Sequence, residues 1–142
     1  MTAKTLELPR ALGRIVLDAA RRSFPGECCG LIEGVDTGLG WRAVALHETA
    51  NLAEHPQREF LVDPQKHFEV LRASRGAERR LIGCFHSHPN GRPEPSERDA
   101  RAAADDAFVW LIASGGPAAF LLNAFVFDAT RRVFLPVVLR NR

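Results

Sequence analysis

Cysteine is scarce in this chain of 142 residues, and its pattern excludes more than it offers. Cys28, Cys29 and Cys84 include no C-x-x-C pair, so a structural zinc site of four cysteines is ruled out. An odd count also argues against a disulfide framework and for a reducing compartment. Long apolar runs are missing too. The longest, Ala107 to Ala113, is far short of the roughly 20 residues a membrane span needs. Met1-Thr2-Ala3-Lys4-Thr5-Leu6 lacks the apolar stretch of a signal peptide, so a cytoplasmic protein is expected. No charge of one sign dominates: 19 Lys and Arg face 17 Asp and Glu, interspersed, with a net +2. That balance gives little support to a nucleic-acid partner. No repeat, low-complexity tract or linker divides the sequence, and residues 1–142 are expected to form a single domain large enough for its own core.

What is present reads as helices interspersed with strands. Leu8, Leu12, Ile15, Val16 and Ala19 fall on one helical face, which predicts a helix from Pro9 to about Arg22, ended by Phe24-Pro25-Gly26. Strands are expected at Cys28–Ile32, Trp41–Glu48, Phe60–Val62 and Leu81–Phe85. Asp63 should cap a second helix running from Pro64 to about Ser74. Ser96 should start a third, whose Ala100, Ala103, Ala104 and Ala107 allow close packing. Phe108–Ser114, Phe120–Phe127 and Val133–Leu139 complete the strands, Pro136 pushing the last toward an edge. The expected class is α/β, a mixed β-sheet flanked by helices.

The chemistry is concentrated between His86 and Asp99. If the strand ending at Phe85 continues to His88, alternation puts both imidazoles on one side and Ser87 on the other. Pro89 disfavours helix at His88 and keeps the pair extended. Gly91, Pro93 and Pro95 form a turn, after which Ser96 caps a helix with Asp99 in its first turn. Two imidazoles and one carboxylate can hold a zinc ion at three positions and leave the fourth open, as a catalytic zinc requires. An H-x-H pair alone is weak evidence, and Ser-x-x-Asp alone is a variant capping box. All of them together at a strand-to-helix transition outweigh that reading. A hydrolytic site also needs a base, for which Glu27, Glu33 and Glu48 lie beside apolar strands. Glu27, just ahead of a buried strand, is placed best.

Glu27, His86-Ser87-His88-Pro89, Ser96 and Asp99 together resemble the JAMM (MPN-plus) metallopeptidase motif, complete in residues and spacing. Pro25-Gly26-Glu27-Cys28-Cys29-Gly30 is similar to the segment around the glutamate in small prokaryotic members. Asn51, Phe60, Asp63-Pro64 and Trp110–Ser114 resemble further family segments, so the likeness runs from about Leu6 to Phe127. It implies a cytidine-deaminase-like (MPN) sandwich and a zinc-dependent peptidase or isopeptidase. His86, His88 and Asp99 would bind Zn²⁺, with Glu27 as general base and Ser96 as hydrogen-bond donor to the oxyanion. The implied substrate and partner is a ubiquitin-like or sulfur-carrier protein, cut after its C-terminal Gly-Gly.

Rival readings are weaker. Zinc nucleobase deaminases use H-x-E with P-C-x-x-C, and neither is here. A non-catalytic MPN-type binding or scaffold domain would not need all five motif residues. A cysteine hydrolase built on Cys28 would leave the metal triad idle. The three cysteines are expected to be small buried hydrophobes, and His47, His55 and His67 to lack comparable partners.

Overall fold

In the computed structural model, residues 3–141 are described, and the sheet is built outward from its most buried strand. The elements are β1 (Thr5–Leu8), α1 (Arg10–Ser23), β2 (Cys29–Asp36), β3 (Gly40–Thr49), α2 (Pro64–Ser74), β4 (Arg80–His88), α3 (Glu97–Ala102), β5 (Val109–Gly116), β6 (Ala119–Asp128) and β7 (Val133–Asn141). β4 lies between β2, to which it is antiparallel, and β5, to which it is parallel. Helices and loops cover both faces, so its last seven residues are all buried and read as a near-continuous run. The expected mixed sheet with helices against it is what forms.

The strand order β1-β3-β2-β4-β5-β6-β7 closes on itself, because β1 pairs in parallel with both β3 and β7. This four-residue strand is absent from the sequence expectation, which placed Leu8 on α1. Its signal is the alternation of Leu6 and Leu8, both fully buried. Ile15, also expected on the core face of α1, is 40% exposed, while Val16, Ala19 and Ala20 are buried. Pro136 lies opposite Phe125 of β6, in the part of β7 that precedes its pairing with β1 at Val138. A residue without an N–H is tolerated there.

Period-2 alternation divides the core in two. Ile32, Phe85 and Leu111 point into a cluster shared with Val16 and Ala19 of α1. Their neighbours Leu31, Cys84 and Trp110 point into a second cluster with Val70 of α2. Gly30 is required at the first interface, where a Cβ would stand 2.3 Å from the Phe85 ring.

Two elements differ from expectation. Phe60–Val62 forms only an isolated bridge, Asn51 to Val62, because the Asn51 side chain accepts from the Leu61 N–H and donates to the Glu59 carbonyl. Those are groups a strand ladder would need. The helix after Ser96 stops at Ala102, so Ala103, Ala104 and Ala107 lie beyond it. Arg132 Nη2 donates to the carbonyls of Ala100 and Ala103, and Ala107 takes a positive φ of 62°, which turns the chain into β5.

Candidate metal centre

β4 does continue in extended form through His88, so His86 and His88 face the same side. Ser87 faces the other way. Its Oγ accepts from the Cys28 N–H at 2.8 Å, and its own N–H donates to the Cys28 carbonyl at 3.2 Å. The chain then turns at Gly91, whose φ of +83° suits glycine and whose N–H donates to the His88 carbonyl. At the start of α3 a reciprocal capping box forms. Ser96 Oγ accepts from the Asp99 N–H at 3.0 Å, and Asp99 Oδ2 accepts from the Ser96 N–H at 2.9 Å. The box that starts the helix thereby fixes the Asp99 carboxylate.

Three potential ligand atoms converge. His86 Nε2 and His88 Nε2 are 3.0 Å apart, and Asp99 Oδ2 lies 3.2 Å and 3.1 Å from them. Ligands held tetrahedrally at about 2.0–2.1 Å from zinc stand roughly 3.3–3.4 Å from one another, so a small contraction separates this triangle from a zinc-ligand face. His88 Nδ1 is 2.9 Å from the Arg92 carbonyl, which only accepts, so Nδ1 carries a proton; Nε2 donates to Asp99 when the ring is protonated and would offer a lone pair to a cation that took that proton's place. The His86 ring is set by packing. It stacks on Phe60 with centroids 4.2 Å apart and meets the edge of Trp110 at 5.7 Å, while its buried Nδ1 has no hydrogen-bond partner.

Burial works against the charged form of Asp99, but hydrogen bonds from His86 and His88 outweigh it and hold this carboxyl well below the usual carboxylate range. Burial pushes His86 down despite its bond to Asp99. Burial acts the same way on the less enclosed His88, where the bonds to Asp99 and the Arg92 carbonyl prevail and push it up. An ionised carboxylate between two imidazoles is a donor set suited to zinc.

Glu27 overhangs this triangle. Its N–H donates to the Pro56 carbonyl, and its carbonyl accepts from Asn51 Nδ2, which ties it to the loop between β3 and α2. A carboxylate oxygen of Glu27 and the ligand nitrogens of His86 and His88 all lie within 4.8 Å of one another. Glu27 Oε1 is buried and has no hydrogen-bond partner. Burial, only partly offset by His88, pushes the Glu27 carboxyl up to about 8. Glu27 with the two histidines is thus a second possible ligand group. The contacts of Asp99 with both nitrogens, at 3.2 and 3.1 Å, make it a tighter third member of the group than Glu27.

The remaining candidates go elsewhere. Glu48 pairs with Arg22 on the surface, and Glu33 pairs with His47 at 2.6 Å and Arg79 at 3.6 Å. His47 therefore has a partner that its sequence context did not reveal. Burial pushes the Cys28 thiol up to about 12 and Cys29 up to about 11, which removes both as nucleophiles near neutral pH. The structure also adds residues. Phe60 orients His86, Ser87 anchors the segment that carries Glu27, and Arg98 joins α3 to the same loop through Glu59 at 2.9 Å. Phe60, Asn51, Trp110 and Ser87 carried a sequence signal through the family segments they resemble, and Arg98 carried none.

Comparison with known proteins shows the family to which the chain belongs. A desampylase of Haloferax volcanii is 30% identical over 118 residues, covering 80% of this chain and 84% of that protein. A CysO-cysteine peptidase of Mycobacterium tuberculosis is 28% identical over 99 residues, covering 69% and 66%. A solution structure from Desulfitobacterium hafniense superposes with a TM-score of 0.83 at 26% identity, over 97% of this chain and 93% of that one. Residues 9–128, a span that contains every residue of the centre, match the family described as prokaryotic homologs of the JAB domain, and the chain belongs to that family.

Proposed function

We propose that this protein is a zinc-dependent peptidase or isopeptidase that hydrolyses the bond after the C-terminal Gly-Gly of a ubiquitin-like or sulfur-carrier protein conjugate. The observation that carries this reading is the convergence of three ligand atoms at 3.0–3.2 Å beside a buried carboxylate with an unpartnered oxygen. His86, His88 and Asp99 hold the ion, and family membership supports that assignment. Zn²⁺ in this position supplies a Lewis acid that lowers the pKa of water toward about 7 and polarises a carbonyl.

The chain's own groups do the rest. Glu27 Oε1 takes a proton from the attacking water and later delivers it to the departing amine. A base raised to about 8 in the metal-free protein is brought down by a neighbouring cation, into the range where it can both accept and return a proton. Ser96 Oγ accepts from the Asp99 N–H and keeps its own hydrogen to donate to the oxyanion, so capping and catalysis are compatible. Phe60 and Trp110 shield His86 from water. Two residues without side chains let an extended tail approach such a walled site closely.

The relatives named desampylase and CysO-cysteine peptidase support this substrate class. The test is to incubate a Gly-Gly-ending carrier, fused at its C-terminus to a reporter, with zinc-loaded enzyme and to weigh the products. Release at the carboxyl side of the diglycine is expected. A cut elsewhere overturns the substrate, and no cut with zinc bound overturns the activity.

A further inference from the structure

α2 buries Val70 and Ser74 but leaves Phe68 and Leu71 61% and 47% exposed. Pro64, Phe68, Leu71 and the C-cap residue Arg75 follow one another at i, i+4, i+7 and i+11, which places them along one line of the helix. Arg72 and Arg75, both exposed, border the stripe with positive charge, whereas Glu69 falls on a different side. At its N-terminal end the stripe meets a cavity of about 280 Å³, whose lining includes Phe60, Leu61, Val62, Pro64, His67 and Trp110. Phe60 and Trp110 are also the two rings that pack on His86, so the cavity lies beside the candidate metal centre with these rings between them. Leu61, 50% exposed, extends the apolar surface at its rim.

An apolar helix stripe that ends at a cavity beside the candidate centre is unlike scattered surface leucines, which need no explanation. We propose that this stripe docks the folded body of the carrier protein through an apolar patch bordered by carboxylates, close enough to the candidate centre for the carrier's extended tail to reach it. The inference rests on the function proposed above. A second copy of this chain fits less well. A symmetric pairing of the stripe would bring the arginines of one copy toward those of the other and cover the mouth of the cavity.

The experiment compares two substrates bearing the same reporter: the intact Gly-Gly-ending carrier and a peptide of its last six residues. In Phe68→Asp and Leu71→Asp, the ratio of kcat/KM for the carrier to that for the peptide is expected to fall at least tenfold, mostly through KM, with Tm held. An unchanged ratio overturns the docking surface while leaving the catalytic reading intact. Wild-type enzyme that cuts neither substrate ends both. A wild-type dimer by light scattering that Phe68→Asp dissociates would assign the stripe to a second copy and overturn the proposal. Arg72→Glu with Arg75→Glu is expected to weaken the salt dependence of KM for the carrier, and an unaltered dependence would remove the charged border from it.

Discussion

Two buried carboxylates beside histidines lie along the same stretch of chain. Glu27 precedes β2 and faces His86 and His88, whereas Glu33, within β2, faces His47 and Arg79. Both are nearly excluded from solvent, at 6% and 4% exposure, so burial does not separate them. Partners do. The Glu33 carboxylate is met by an imidazole and a guanidinium, which is how a fold stabilises a buried charge. Glu27 Oε1 meets nothing, and the neighbouring imidazoles direct their nitrogens at Asp99 instead. A buried oxygen left without a partner costs stability unless something absent from the protein alone completes it. The contrast is what the proposed function rests on: Glu27 is the buried carboxyl with an unpartnered oxygen, and Glu33 the one with partners.

Substitution of the ligands should separate the two sites most sharply. His88→Ala or Asp99→Ala is expected to abolish bound zinc, read by elemental analysis, and with it all peptidase activity. Glu33→Gln should leave both near wild type. Zinc retained by the first pair would show that the ligand set is wrong. Next comes Glu27→Gln, which should keep its zinc and lose on the order of 10²–10⁴ in rate. Parallel loss of metal and rate would make Glu27 a ligand and erase the distinction drawn from Asp99.

Stability gives a smaller contrast, of opposite sign at the two sites. In chelator-stripped protein Glu27 titrates near 8 against an ordinary 4.5, so the folded chain keeps a proton that the unfolded chain has released. Its contribution is therefore complete below the unfolded value and is lost as pH rises from about 4.5 through 8. Glu27→Gln escapes that loss and should be more stable than wild type at pH 8, by roughly 1–3 kcal/mol in urea titrations, with little difference at pH 4. Glu33→Gln weakens a satisfied pair and should destabilise by about 1–3 kcal/mol. Equal signs for the two variants would dissolve the comparison. Ser87→Ala, which strands the buried Cys28 N–H, should cost about 1–3 kcal/mol and slow turnover by displacing Glu27. The smallest effect is expected from iodoacetamide, which should barely alter the rate, since burial holds the thiol of Cys28 protonated.

The convergence of His86, His88 and Asp99 was legible because its constraints are local. Period-2 alternation orients His86 and His88, Pro89 keeps them extended, and a capping box places Asp99 three residues after Ser96. Glu27 was legible only in part. Its position before a buried strand singled it out modestly, and the family likeness supplied the rest. Closure of the sheet was not legible, since β1 has only four residues and its leucines also fit the period of the helix that follows. The premature end of α3 was hidden for a similar reason. An alanine run favours helix, while the Arg132 bonds that hold its last carbonyls come from a distant turn.

By itself, then, the sequence determined the elements carrying His86, His88 and Asp99 and the side on which each emerges, because both depend on backbone periodicity and on neighbours a few residues away. Only the tertiary structure decided that Glu27 meets those side chains with one oxygen unpartnered, that Glu33 is paired with His47 and Arg79, and that the apolar stripe of α2 ends at the cavity beside the Phe60 and Trp110 rings. Those outcomes depend on strand register and on which faces are packed together. They are set by contacts between residues far apart in the chain, which no local pattern encodes.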